Sequence, residues 1–389
     1  MDDLLERLRD LPCGRRLLDA LAGKDGVHLA GGAVRDLLLG RVPRELDVVV
    51  EGEIAAIAAA LGDATAVHER FGTATVTGGG CRFDVAAARA ETYLHPGALP
   101  DVRPAAIAED LERRDVTVNA IALDLRTGEL RAARHALDDL AAGRLRVLHD
   151  ASFRDDPTRL WRIARYRARL GFELEAHTAE LARAAVTGGW AERVSGARIG
   201  NELRLALAEA DPPGAIESAV DLGIAPWLAI DRRRAAAALA GLPEGEGRPD
   251  LVVLAAAIAE DGDDADQRLA GLNFKAAERA IVRAALRARE LAASALAATR
   301  PSELARVLRG QPVEALALAG ASGAAEPVRR FVGELRHVAL AIDGDDLLAA
   351  GVPRGPQIGR RLGAILDKRL DGELGDDRAE QLASALAEA

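Results

Sequence analysis

The chain has 389 residues and a formal net charge of −10; 49% of its residues are hydrophobic, 29% are charged, and two are cysteines. That composition excludes a collagen, a disordered chain and a disulfide scaffold. An acidic chain does not coat itself in nucleic acid, although a local basic groove stays open. No apolar run reaches the roughly 18 residues of a membrane span. The opening MDDLLERLRD reads as a charged helix rather than a signal peptide, and Cys13 and Cys81 read as buried thiols of a cytoplasmic protein.

The strand signals lie in the first 150 residues. Segments 27–30, 46–50, 73–77 and 81–86 are short, rich in β-formers and bounded by Gly or charge, with helical patterns at 33–39 and 54–61 between them. After about residue 152 the pattern turns to Ala/Leu/Arg/Glu stretches with apolar spacing of three to four, which predicts helices to the end. The fold class is therefore α+β: a head with a small mixed sheet, then an all-α remainder. Turn-rich stretches place boundaries near 150, 230 and 325. The expected parts are a head (1–150), a first helical part (151–230), a second (231–325) and a third (326–389).

Gly31-Gly32 ends a strand and opens a helix, where backbone N–H groups approach a phosphate and the helix terminus favours negative charge. Arg35 lies one turn in. A tight turn uses the same two glycines. On the next strand Glu45 and Asp47 are two apart and share a face, an arrangement suited to a pair of Mg²⁺ ions that clamp the oxygens of a phosphoryl transfer. Asp84, on the strand 81–86, is a third carboxylate for the same place, or a salt-bridge partner of Arg82 or Arg89.

Segment 113–120 (RRDVTVNA) reads as a helix opening, with Asp115 as its cap, Asn119 four residues on, and Arg113 and Arg114 near any phosphate. Segment 153–172 reads as a helix with Asp156, Arg159, Arg162 and Arg165 at intervals of three. Six Arg and two Asp between 153 and 170 make it basic within an acidic chain. A carboxylate only accepts hydrogen bonds and a guanidinium only donates. Asp156 and Arg159 together would accept the amino group and bare ring nitrogen of cytosine or adenine, and reject uracil and guanine.

These segments together resemble the class II tRNA nucleotidyltransferase / poly(A) polymerase family, which includes the CCA-adding enzymes. Segment 31–36 with Glu45-Leu46-Asp47 is similar to the family's first motif. Segment 113–120 is similar to its RRDxTxNA motif, and 155–159 with Arg162 to its nucleotide-selecting helix. Segment 194–203 is similar to the part that braces that helix, and 344–359 to its tail motif. The resemblance implies a nucleotidyltransferase head followed by helical neck, body and tail, with Mg²⁺ held by Glu45 and Asp47. It implies CTP and ATP as substrates and a tRNA 3′ end as acceptor, with no DNA or membrane partner. Gly31, Gly32, Arg35, Arg113, Arg114, Asp115, Asn119, Asp156, Arg159, Arg162 and Arg165 would serve the nucleotide, and Arg154, Arg198, Arg204 and Arg354 the tRNA.

Three features depart from the family pattern. Glu45 stands where Asp is usual, and one methylene moves a carboxylate by roughly 1 Å. Segment 131–139 lacks the usual Asp-Pro and glycines. The loop 89–103 has the form HPGALP in place of the usual DGR-like core, as in a subgroup that includes enzymes adding only CC or only A. No HxxxH…D pattern marks an appended phosphohydrolase domain. The alternatives are a partial CC- or A-adding enzyme, a poly(A) polymerase, a small-molecule nucleotidyltransferase, or a non-catalytic RNA-binding relative.

Overall fold

A computed structural model describes residues 2–68, 72–258 and 264–388. The chain forms two compact units, Met1–Asp211 with Ser218–Ala225, and Pro212–Glu217 with Pro226–Ala389. The first is built on a sheet and the second is helical, so the α+β reading stands.

The first unit opens with helices α1 (Asp2–Asp10) and α2 (Pro12–Ala20), followed by β1 (Val27–Ala30), α3 (Gly32–Leu38), β2 (Leu46–Val50) and α4 (Ala55–Leu61). Then come β3 (Asp63–His68), β4 (Thr73–Gly78), β5 (Cys81–Ala87), and a hairpin of β6 (Arg89–Thr92) and β7 (Asp101–Pro104). After α5 (Ile107–Glu112), strands β8 (Ile121–Asp124) and β9 (Leu130–Ala132) complete the sheet, in the order β3-β4-β5-β2-β1-β8-β9. All its neighbours are antiparallel except β2 and β5, which run parallel.

Alternation explains the burial. Leu29, Val48, Val50, Phe83, Val85, Ile121 and Leu123 face one core with Leu17 of α2 and Val34 and Leu37 of α3. Ala30, Val49, Ala88 and Ala122 face a second, smaller core capped by Ile107 and Leu111 of α5. With both faces covered, the central strands read as short apolar runs. Glu45 and Asp47 share parity with Val49, so they emerge on the second face.

Helices α6 (Ala136–Ala142), α7 (Ser152–Asp155), α8 (Arg159–Leu170), α9 (Ala176–Thr187) and α10 (Gly196–Leu207) follow. Three sequence expectations are corrected here. Segment 113–120 does not open an α-helix: Val116 is extended and only Thr117–Asn119 makes a 3₁₀ turn before β8 begins. Asp115 instead accepts from Val116 N (2.9 Å). Segment 153–172 is two helices, because Asp156 takes an extended conformation (φ −133°, ψ 94°) ahead of Pro157, as the residue before proline tends to. Cys13 and Cys81 are not thiols. They form a disulfide between α2 and β5, with Cα atoms 5.5 Å apart.

In the second unit, helices run from Arg232–Ala240 to Arg378–Ala387. The helix Pro249–Ala257 is apolar all round after Asp250 and is buried from Leu251 to Ala257. Asp231 caps the helix that follows it, and Asp343 does the same for Gly344–Ala349. Ser322 and Gly323 leave helical geometry and kink the path between Val313–Ala319 and Ala325–Gly333. Ile342, Leu347, Val352, Ile365 and Ala385 form a small separate core near the chain end. Among the described residues no helix is long and apolar enough to cross a membrane.

Candidate active site

A cleft of about 950 Å³ lies on the second face of the sheet. Its walls include all thirteen residues that the sequence assigns to metal and nucleotide: Glu45, Asp47, Gly31, Gly32, Arg35, Arg113, Arg114, Asp115, Asn119, Asp156, Arg159, Arg162 and Arg165.

The acidic end follows from strand register. Asp47 on β2 is paired with Asp84 on parallel β5, so the two carboxylates stand side by side one strand apart. Glu45, two residues before Asp47, completes a group whose oxygens lie within 4.8 Å of one another. Three carboxylates are hard oxygen donors and fit one or two divalent cations such as Mg²⁺. Thr75, opposite Asp84 on β4, donates its hydroxyl to Asp84 Oδ1 (2.6 Å) and orients it. Burial pushes the Asp47 carboxyl up to about 6; Arg114 opposes this, and the Glu45 and Asp84 charges add to it.

The glycine turn faces these acids. Gly31 has φ 73°, and a Cβ there would stand 2.6 Å from Arg114 Nη1. The backbone conformation favours glycine, and any larger residue would also have to push the end of the Arg114 side chain aside. Arg35 is fully buried, donating to Asp36 Oδ1 (2.9 Å) and to Asn119 Oδ1 (2.6 Å). Asp110 is buried between two cations: Arg113 Nη2 at 2.7 Å on one oxygen and Arg114 Nη2 at 3.0 Å on the other. Burial alone would raise its pKa, but Arg114 and Arg113 outweigh that and hold it below the usual carboxylate range. Arg113 also meets Glu91 Oε1 (3.0 Å).

Asp115 is the hub of the next layer. It accepts from Asn119 Nδ2 (3.2 Å), Tyr166 Oη (2.6 Å) and Arg162 Nη2 (2.8 Å). Burial opposes its charge, but Arg162 with the Tyr166 and Asn119 hydrogen bonds brings its pKa down to about 2. Asp115 is therefore a buried anchor for Arg162 rather than a helix cap.

Asp156 and Arg159 line the cleft without pairing to each other. Asp156 Oδ1 accepts from Thr158 N (3.0 Å), Thr158 Oγ1 (2.6 Å) and Arg198 Nη2 (2.8 Å). Arg159 donates to Ser152 Oγ (2.6 Å) and to the Arg113 carbonyl (2.7 Å). The extended backbone at Asp156 holds its carboxylate beside the helix instead of along it. Arg198 also donates to the Gly97 carbonyl (2.8 Å), tying the Asp156 carboxylate to the β6–β7 hairpin loop. In that loop Leu94 and Leu99 are exposed. Tyr93, at the loop's start, donates its hydroxyl to Glu91 Oε2 (2.8 Å), and burial with the Glu91 charge pushes its pKa up.

The four residues assigned to tRNA lie outside the cleft walls. Arg154 is exposed, 3.7 Å from Asp155. Arg198 is half-buried on Asp156. Arg204 is half-buried with Nη1 on the Gly200 carbonyl (3.3 Å). Arg354 is exposed in the turn before the helix Pro356–Leu370. The 131–139 stretch turns through His135 (φ 66°), and its buried Asp139 accepts from Thr117 Oγ1 (2.8 Å) and Arg146 Nε (2.8 Å).

Sequence reasoning missed Glu91, Tyr93, Asp110, Tyr166 and Glu209, while Glu202 lies in the 194–203 segment likened to a brace and meets Arg165 (3.0 Å). Asp110 carried a usable signal, since it precedes Arg113 and Arg114 by three and four residues on one helical line. Glu202 on α10 meets Arg165 of α8, and Glu209, just past the end of α10, meets Arg165 and Arg169; only the fold brings these groups together.

Residues 27–146 match the Poly A polymerase head domain. The chain is 34% identical over 368 residues to the CC-adding tRNA nucleotidyltransferase of Deinococcus radiodurans, covering 91% of this chain and 88% of that protein. It is also 34% identical over 381 residues to the A-adding tRNA nucleotidyltransferase of Geobacter sulfurreducens, covering 89% of this chain but 43% of that one. It spans half or less of two further A-adding relatives. Among solved structures it is similar to the Thermotoga maritima CCA-adding enzyme complexed with tRNA (28% identity, TM-score 0.77, 99% of this chain and 98% of that one). It is also similar to CCA-adding enzymes complexed with CTP (27%, TM-score 0.80, 99% and 97%) and with ATP (29%, TM-score 0.78, 96% and 94%).

Proposed function

This chain belongs to the class II tRNA nucleotidyltransferase / poly(A) polymerase family, and on that premise we propose that it transfers CMP, AMP or both from CTP and ATP to the 3′ end of tRNA. The observation that carries this reading is one cleft holding the Glu45–Asp47–Asp84 carboxylates together with Asp156 and Arg159. No nucleic-acid template is needed where protein side chains read the base. The work on tRNA belongs in the cytoplasm. The helical remainder is proposed to divide near 230 and 325 into neck, body and tail.

In the reaction, the tRNA 3′-hydroxyl loses its proton to solvent and attacks the α-phosphorus of the nucleotide, a new phosphodiester forms, the α–β anhydride breaks and pyrophosphate leaves. Glu45, Asp47 and Asp84 would hold Mg²⁺, which supplies Lewis-acid stabilisation of the charge developing at the α-phosphate. The Gly31-Gly32 turn lets the triphosphate approach the backbone. Arg114, beside Gly31, and Arg113 bring positive charge to the departing pyrophosphate. Asp110 keeps both guanidiniums in place before substrate arrives. Asp156 accepts from the exocyclic amino group of C or A while Arg159 donates to the ring nitrogen, and Arg198 fixes the Asp156 carboxylate.

The test uses three tRNA transcripts, ending before CCA, after CC, and complete. Each is offered CTP, ATP, both, or UTP with GTP. Sequential addition of C, C and A assigns full CCA synthesis. A second reading, a partial enzyme, is supported by the similarity to both A-adding and CC-adding relatives and by the HPGALP loop; extension of only one precursor assigns it. A long A tract assigns poly(A) synthesis, and nucleotide binding without addition to any acceptor overturns the catalytic reading.

A further inference from the structure

Glu45 is exposed, at the end of a loop that little holds. Between α3 and β2 the chain from Gly40 to Glu45 is largely exposed, with Val42 74% accessible. Arg41 N donates to the Asp36 carbonyl (2.8 Å) and closes the first turn. Beyond it, the loop's tie to another element among the described residues is Arg44, whose Nη1 lies 3.2 Å from Glu209 Oε2.

Glu209 is an unusual acceptor. Its carboxylate is 2% exposed and receives three arginines. Arg165 Nε donates to Oε1 (3.0 Å), and Arg169 donates through Nε to Oε2 (2.9 Å) and through Nη2 to Oε1. Arg165 is shared with Glu202 Oε2 (3.0 Å). A carboxylate offers about four lone-pair sites, and these four bonds fill them. Burial alone would raise the Glu209 pKa, but Arg169 and Arg165 hold it low, so the acceptor stays charged. Two of the arginines belong to α8, the helix that carries Arg159 and Arg162. The third is the residue immediately before Glu45.

We propose that Glu209 is a positioning residue for Glu45: through Arg44 it fastens the loop that presents this carboxylate to the helix that presents Arg159. The inference rests on the nucleotidyl-transfer reading of the cleft. Glutamate reaches roughly 1 Å further than aspartate, so its backbone must stand correspondingly further back for its oxygens to meet those of Asp47 and Asp84. A misplacement of about 1 Å costs up to about 10²-fold in rate. On its C-terminal side Glu45 is fixed by Leu46, which is buried and paired with Phe83 in the sheet; on its N-terminal side the Arg44 tie supplies the hold that the exposed loop lacks.

Arg44→Ala is the informative variant. Its side chain is half-exposed and Glu209 keeps two other partners, so the fold should survive. Mn²⁺ binding to the protein alone, followed by loss of the free-ion EPR signal, should weaken about 3- to 10-fold. In steady-state transfer, kcat should fall about 10-fold or more with the KM for CTP or ATP nearly unchanged. Arg44→Lys should recover part of both effects, and adding Arg44→Ala to Glu209→Gln should cost little beyond Glu209→Gln alone. Wild-type Mn²⁺ affinity in Arg44→Ala, with Glu209→Gln lowering only Tm, would overturn the proposal and leave Glu209 as a structural bolt. If the wild type transfers no nucleotide to any acceptor, the functional reading fails; the Mn²⁺ titration then decides the positioning role by itself.

Discussion

Asp47 is a carboxylate whose folded environment works against its charge. Its pKa rises from 3.8 to about 6, first through burial and then through Glu45 and Asp84, with Arg114 opposing. The folded state therefore binds a proton more readily than the unfolded chain between about pH 4 and 6. Its contribution to stability is fully present below the unfolded value and is lost as pH rises through 6. Asp47→Asn in metal-free protein should thus raise unfolding stability at pH 7.5 by on the order of 1–3 kcal/mol, seen as a higher Tm, while transfer activity disappears. Added Mg²⁺ should raise the Tm of the wild type and not of the variant; a variant no more stable than wild type at pH 7.5 would contradict this account. Asp156 makes a different demand. Oδ1 is taken by Thr158 and Arg198, so on the proposed reading the other oxygen would accept from the exocyclic amino group. Asp156→Asn replaces an acceptor-only group with one that also donates. Discrimination of CTP over UTP, measured as a ratio of kcat/KM, should fall by 10-fold or more with Mn²⁺ affinity unchanged.

At the scale of elements, the site is assembled by β2, β5, α3, α5 and the two-part helix at 152–170, and their legibility differs. β2 and α3 were readable because their residues carry their own periodicity and their glycine turn. The acidic pair was legible for the same reason: two residues on one strand share a face whatever the strand pairs with. Asp84 was only half legible, because its place beside Asp47 depends on β5 running parallel to β2, and no local signal sets that. β8 was missed since, unlike the equally buried β1 with Gly26 and Gly31 at its ends, it follows Val118-Asn119-Ala120 with no glycine or charge to mark its start. The expected helix at 113–120 failed because Asp115 spends its carboxylate on Tyr166 and Arg162, some fifty residues away, rather than on a helix terminus. That long-range anchor is testable. Asp115 sits at about 2 in the folded state against an ordinary 3.8, so its contribution to stability is present above about pH 4 and lost as pH falls toward 2. Asp115→Asn should cost on the order of 2 kcal/mol at pH 7, with the gap to wild type closing between pH 4 and 2. Chemical denaturation at stepped pH measures it, and a gap independent of pH would mean that the hydrogen bonds, not the charge, do the anchoring.

For the whole molecule the question is how a chain of net charge −10 would hold the polyanion proposed as its partner. Net charge acts at long range and is screened beyond about 8 Å at physiological ionic strength. Contacts between arginine and phosphate act at short range and survive. Composition overstates how many arginines are available for this, because many are already committed inside the fold. Arg198 is bound to Asp156 and Gly97, and Arg165 to Glu202 and Glu209. Arg354 is exposed and has no ion pair among the described residues. Counterion release separates the two kinds of arginine. Each phosphate contact adds roughly 0.7–0.9 to the slope of log K against log salt, whereas an arginine that braces the protein adds nothing. Arg354→Ala should therefore flatten the salt dependence of tRNA affinity by about one contact and leave base choice untouched. Arg198→Ala should keep the slope and relax the choice between C and U, because what it releases is Asp156. Affinities from filter binding between 50 and 300 mM salt, set beside single-nucleotide incorporation by the same two variants, distinguish the roles; a slope that falls equally in both would place Arg198 on the tRNA after all.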